Sequence, residues 1–161
     1  MARTPGARPR ILLVEADPVF RFVLAHDLSG LGAEVLVAAD GPDAFRLLTD
    51  EILTLDLLVT GLVLPGLDGL TLVRVVRAEG GEQDLSILVA CEGPPADVEN
   101  RLRSLHASVV DRRAGSAAVA AEARAALELR GWLEPAPDPW AAPARPAGTW
   151  LPRRLSRPTP A

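Results

Sequence analysis

At 161 residues, 48% hydrophobic and 24% charged, the chain has the size and apolar content of one domain with its own core. A formal net charge of −4 argues against a general nucleic-acid binder, which needs a clustered basic surface. Cys91 is the one cysteine, which excludes an internal disulfide and a thiolate metal cluster within the chain. All 17 basic residues are arginines, so mechanisms that need a lysine amine are excluded too. No apolar run reaches the roughly eighteen residues that span a bilayer, and Met1 to Pro5 lacks the apolar stretch of a signal peptide. The expectation is a soluble, cytoplasmic protein with no membrane contact.

Residues 1–9, with Pro5, Pro9, Arg3 and Arg8 and no periodicity, read as a loose N-terminal arm. Ile11-Leu12-Leu13-Val14 is a short continuous apolar run, the pattern of a strand buried on both faces of a parallel sheet. Asp17-Pro18 supplies a helix cap and a first-turn proline. Val19, Phe20, Val23, Leu24 and Leu28 then recur at helical spacing until Gly30 and Gly32. Val35-Leu36-Val37 predicts a second strand, and Gly41-Pro42-Asp43 leads into a helix with Ala44, Phe45, Leu47 and Leu48 on one face. Leu57-Leu58-Val59 predicts the third strand. The loop Pro65-Gly66-Leu67-Asp68-Gly69 precedes a helix carrying Leu70, Leu72, Val73 and Val76, and Ile87-Leu88-Val89 predicts the fourth strand. A fourth helix is predicted from Ala96 to Leu105 after Pro94-Pro95, with Val98, Leu102 and Leu105 on one side. Val109-Val110 is a thin fifth strand, and an alanine-rich helix from Ser116 to Arg130 closes the domain.

Five strand–helix units with short connections over residues 10–130 imply a doubly wound α/β domain: a parallel sheet with helices on both faces. Ligand sites in such folds lie at the carboxyl ends of the strands. Residues 131–161 hold eight of the fifteen prolines and all three tryptophans, Trp132, Trp140 and Trp150, without apolar periodicity, and read as a disordered tail. Two readings of the tryptophans are open. Trp132 docks on its own domain, or Trp140 and Trp150 form a partner-binding motif.

The runs Ile11-Leu12-Leu13-Val14-Glu15-Ala16-Asp17-Pro18 and Leu62-Val63-Leu64-Pro65-Gly66-Leu67-Asp68-Gly69 resemble the receiver domains of bacterial two-component response regulators, the CheY-like family. The likeness covers residues 10–130. It implies a flavodoxin-like sheet of order 2-1-3-4-5 and a strand-end acidic site. There, two carboxylates after the first strand and one after the third hold Mg²⁺, the last of them accepts a phosphoryl group, and a hydroxyl and a lysine after the fourth and fifth strands bind it. Carried over residue by residue, these positions fall on Glu15, Ala16, Gly61, Cys91 and Arg113. One metal ligand has become a methyl group, the acceptor a glycine, the hydroxyl a thiol and the lysine an arginine.

The resemblance therefore implies a degenerate receiver in two-component or phosphorelay-type signalling. It would act as a phosphorylation-independent interaction module and not as an enzyme, with no cofactor, Mg²⁺ included. Its partner would be another protein or a second copy, engaged through the face of the fourth helix, fifth strand and fifth helix. Arg101, Arg103, Arg112 and Arg124 on that face and Trp140 and Trp150 in the tail are the candidate contacts. Two alternatives stand beside it. A displaced carboxylate among Glu15, Asp17 and Asp68 takes the phosphoryl group, the same three, Glu15 and Asp17 first, being weak metal candidates; or the vacated strand-end pocket binds an anion or small molecule beside Arg113. Asp56, at the opening end of its strand and roughly 17 Å from Gly61 at about 3.3 Å per residue, is expected to face away. Cys91 reads either as a redox sensor whose thiolate Arg113 favours or as a small, half-buried residue.

Overall fold

The computed structural model describes residues 7–80 and 85–134. Five parallel strands, β1 (Arg10–Val14), β2 (Glu34–Ala38), β3 (Leu57–Gly61), β4 (Ser86–Cys91) and β5 (Ala107–Asp111), form one sheet in the order β2-β1-β3-β4-β5. The connections carry helices α1 (Pro18–Ser29), α2 (Gly41–Glu51), α3 (Gly69–Gly80) and α4 (Ala96–Ser104), and α5 (Ser116–Leu129) follows β5. This is the doubly wound fold and strand order expected. Two short 3₁₀ turns, Ile52–Thr54 and Arg112–Ala114, carry no periodicity signal and were not expected.

The central strands are apolar throughout because both faces of the sheet are covered, and successive residues point to opposite sides. Leu12, Val14, Leu58, Ile87, Val89 and Cys91 enter one core with Leu48, Leu72, Val73, Val76 and Leu102. Ile11, Leu13, Leu57, Val59, Leu88 and Ala90 enter the other with Leu24, Leu28, Val119, Ala123 and Leu127. Trp132 and Leu133 pack against this second core, and the Trp132 backbone N–H donates to the Leu127 carbonyl at 2.8 Å. The first residues of the expected tail thus fold onto the domain, whereas Trp140 and Trp150 lie outside the described residues. At the other end, Pro9, the last residue of the expected arm, is tied to β2, since its carbonyl accepts from the Glu34 N–H at 2.8 Å.

Three expectations about helix faces and ends need correction. On α1 only Leu24 and Leu28 are fully buried, while Val19 is 72% exposed, Val23 41% and Phe22 77%. Apolar residues surround most of that helix, so spacing alone does not choose the packed side. Phe45 is likewise half-exposed on α2. The fourth helix stops at Ser104, one residue short of the expected Leu105, and His106 follows at φ 53° in the turn to β5, where its carbonyl accepts from Arg77.

Glycine sets the closest approaches around the β3–α3 loop. A Cβ on Gly69 would run into the Gly61 carbonyl, and one on Gly41 into Leu67. The Gly69 N–H donates to the Leu62 carbonyl at 2.8 Å and the Gly41 N–H to that of Pro65 at 3.1 Å, which fixes this loop across the end of β3. Among the described residues, no helix is long and apolar enough to cross a membrane.

This packing makes three predictions. Leu58→Ala, at a fully buried position, should lower unfolding free energy in urea by about 2–5 kcal/mol, whereas Phe22→Ala should stay within about 0.5 kcal/mol of the parent. Gly69→Ala should cost about 1–3 kcal/mol through forced displacement of the strand end. At Gly61 a Cβ meets only ordinary contacts of 3.5–3.8 Å, so Gly61→Ala should shift stability by no more than about 1 kcal/mol in the same titration.

Candidate functional site

The carboxyl ends of β1, β3, β4 and β5 open onto a pocket of about 530 Å³. Its polar lining is Glu15, Asp17, Glu92 and Arg112; Leu62, Val63, Pro94 and Pro95 supply apolar wall, and Ala16, Gly61 and Cys91 contribute little bulk. The fold dictates this place. Elsewhere along β1, β3 and β4 both faces are packed, and only where the strands stop can side chains converge without a core around them.

Glu15 follows β1 directly and is 6% exposed. Its Oε1 accepts from the Asp17 N–H at 2.9 Å, and its own N–H donates to the Ala38 carbonyl at 3.1 Å. Asp17 is the cap of α1, with Oδ1 accepting from the Val19 and Phe20 N–H groups at 2.8 and 3.0 Å. Those two bonds, with Arg112 adding to them, hold the Asp17 carboxyl below the usual aspartate range. Arg21 closes the turn from outside, donating to the Glu15 and Ala16 carbonyls at 2.7 and 3.2 Å.

The cation of the site is Arg112, not Arg113. The Arg112 guanidinium reaches Glu15, Asp17 and Glu92, each at 3.4 Å, and its Cζ stands 4.2 Å from the centre of the Phe20 ring. Burial works against its charge, but Glu15 and Asp17 outweigh that and hold Arg112 above the ordinary arginine range. Arg113 turns outward. Asp111 ends β5 opposite Cys91, and its carboxylate accepts from the Arg113 N–H at 2.9 Å, from Nε at 3.0 Å and from Nη2 at 2.9 Å. The Asp111 carboxylate caps the 3₁₀ turn and holds Arg113 as an exposed pair, which leaves Arg112 to face the pocket.

Gly61 ends β3 buried beside Glu15 and offers only backbone; its carbonyl accepts from the Thr60 hydroxyl at 2.9 Å. Cys91 is 7% exposed, and burial, reinforced by Glu99 and Asp111, pushes its thiol up. The redox reading thus loses its basis, because Arg113 is committed to Asp111 and the thiol is kept protonated. Asp68 accepts from the Thr71 N–H at 2.8 Å as the start of α3, and Asp56 accepts from the Arg10 N–H at 2.8 Å at the opposite end of the sheet. Among the described residues, no group of three or more His, Cys, Asp or Glu is arranged to hold a metal ion.

The arginines expected on the α4–β5–α5 face do not form one basic patch. Arg103 pairs with Glu99 at 2.6 Å and Arg124 with Glu128 at 2.7 Å, each along its own helix. Arg101 lines a small hollow of about 270 Å³ with Leu70, Arg74, Ser104 and Leu105. Arg112 leaves that face for the strand-end pocket. Sequence reasoning missed Glu92 and Phe20 as parts of the site and misplaced its cation by one residue. The available signal was Asp111 itself, since an aspartate that caps its own i+2 N–H directs the following residues in a fixed order.

No family model matches the chain. Among curated proteins it is similar to the regulator of RpoS of Escherichia coli K12, 37% identical over 99 residues, which are 62% of this chain and 28% of that protein. The chain thus spans little more than a quarter of that relative's length. It is also similar to a chemotaxis protein CheY homolog of Campylobacter jejuni, 34% identical over 97 residues, covering 59% of this chain and 74% of that one. Among solved structures, a CheY-like response regulator receiver domain protein from Methanospirillum hungatei superposes with a TM-score of 0.70 at 15% identity, covering 78% of this chain and 98% of the other. With the strand order β2-β1-β3-β4-β5 and the site at the carboxyl ends of β1, β3, β4 and β5, these likenesses place the chain in the CheY-like receiver-domain family of two-component response regulators.

Proposed function

We propose that this chain is a receiver-shaped interaction module that works without phosphorylation and catalyses no reaction, in the cytoplasm and through a protein partner or a second copy. The observation that carries this reading is Gly61. It ends β3 four residues before Pro65, the position at which the resemblance puts the phosphoacceptor, and it has no side chain to phosphorylate.

The other carboxylates offer no ready substitute. Glu15 is held by the Asp17 N–H and Arg112, Asp17 by the first turn of α1, Asp68 by the first turn of α3, and Asp56 lies at the far end of the sheet. Becoming an acyl phosphate would take the charge from such a carboxyl and turn its charge-assisted bonds to backbone N–H groups, helix caps among them, into weaker neutral ones. The face of α4, β5 and α5 remains the proposed contact surface by family resemblance. Its arginines are largely neutralised by their own helix partners, so shape and apolar contact would have to contribute more than charge.

A second reading, small-molecule binding at the strand ends, is favoured by the 530 Å³ pocket. An anion is the wrong class for it, because Glu15, Asp17 and Glu92 outnumber Arg112 along the lining.

Incubation with acetyl phosphate and Mg²⁺, followed by intact-mass spectrometry, tests the leading reading. The expected spectrum carries no added phosphoryl group. A stoichiometric adduct would overturn the reading, and its mapping to Glu15, Asp17 or Asp68 would name the displaced acceptor.

A further inference from the structure

We propose that the Arg112 guanidinium is the resident cation of the strand-end site, built into the chain in place of the divalent ion that receiver domains hold there, so that the site is closed to metal. The proposal rests on the receiver reading above, but concerns the metal and not the acceptor.

Glu15 sets the problem. A carboxylate 6% exposed is costly to keep ionised unless a cation or several donors face it. One backbone N–H, from Asp17, supplies part of this. The rest comes from Arg112, whose Nε and Nη2 lie 3.4 Å from the two Glu15 oxygens. The same guanidinium reaches Asp17 with Nη2 and Glu92 with Nη1, each at 3.4 Å, so all three of its nitrogens are directed at carboxylates. Those carboxylates come from two different strand-end loops, after β1 and β4, and Arg112 from a third, after β5. The Phe20 ring, 4.2 Å from Cζ, offers its face to the charge from a further side.

A divalent ion fares badly against this arrangement. Mg²⁺ demands near-octahedral oxygen ligands and gives up its water reluctantly. Ala16 presents a methyl group and Gly61 no side chain, so two of the oxygens the family supplies are missing. Of that set only Glu15 remains, and both it and the neighbouring Asp17 already face Arg112. A tethered cation also competes at a high effective concentration without losing translational freedom on binding. The charge is therefore present at every metal concentration, and the connection after β5 stays tied to the start of α1.

Mn²⁺ is the probe, read by electron paramagnetic resonance of the free ion and by water-proton relaxation on the full chain. The parent should show no saturable binding up to about 10 mM, and Arg112→Gln should bind at least about tenfold more tightly, as removal of a like charge near 4 Å implies. Ala16→Asp, which adds an oxygen ligand but leaves Arg112 in place, should gain no saturable site; it decides the matter if Arg112→Gln does not fold. Saturable binding to the parent below about 1 mM would overturn the proposal. So would a folded Arg112→Gln without the gain, or Ala16→Asp acquiring a site while Arg112 is present. These outcomes are separate from the acetyl phosphate result: metal binding without an adduct removes only the resident-cation inference, and an adduct removes the phosphorylation-independent reading.

Discussion

Burial of β1, β3 and β4 on both faces is the constraint from which the rest of the molecule follows. Alternate residues of each strand feed two separate cores, Leu12 and Leu58 into one, Leu13 and Val59 into the other, so none of these positions tolerates a charge. Among the described residues the buried polar side chains are Glu15, Asp56 and Thr60, and all stand at or next to a strand end. The two ends differ. Around Asp56 the polar groups serve the chain itself, with the Arg10 N–H on its carboxylate and Arg10 bridging Glu34 and Glu51. Around Glu15 they line a pocket.

The pocket's electrostatics then hang on one buried carboxylate and the charge that faces it. Arg112 is suited to that role by its planar fork, which can face several carboxylates at once, and by a flat surface that lies over an aromatic ring. A lysine in its place would be a single point charge on a flexible stem. At 24% exposure the Arg112 side chain is screened less than the surface pairs Arg46–Asp43 or Arg113–Asp111, whose long side chains stand mostly in water. The weight of the charge network therefore falls on the half-buried clusters at the two ends of the sheet, Arg112 at one and Arg10, equally shielded, at the other, and not on the helix-surface pairs.

The fold was legible because its signals are long and redundant: five apolar runs, each followed by a cap, proline or glycine and then a helix-forming segment. Legibility failed where a decision turned on a single residue or on a contact remote in sequence. The packed side of α1 was misjudged because Val19, Phe22 and Val23 are as apolar as Leu24 and Leu28, and only the placement of α5 and the sheet decides between them. The sequence points to Arg113 as the site cation because the end of β5 cannot be read from a two-valine strand. Asp111 ends that strand opposite Cys91, and its bonds to Arg113 turn that side chain outward and leave Arg112 facing the pocket. Glu92 and Phe20 carry no motif of their own and join the site only through the fold.

Shape and chemistry at the strand ends are separable in this chain. The loop Pro65 to Gly69 is held by the Gly69 N–H on the Leu62 carbonyl, the Gly41 N–H on that of Pro65, and close glycine contacts, none of which involves a carboxylate of the pocket. A Cβ at Gly61 would meet Leu64 at 3.5 Å and Glu15 at 3.6 Å, ordinary contacts, so sterics do not forbid a side chain there. What a carboxylate at that position would meet is charge: Glu15 beside it and a guanidinium already shared among three acids. With net negative charge around the pocket and, among the described residues, no second cation lining it, a fourth carboxylate would tend to hold its proton. The receiver shape thus persists on packing that makes no demand on the site, while the site is balanced around the groups it now contains.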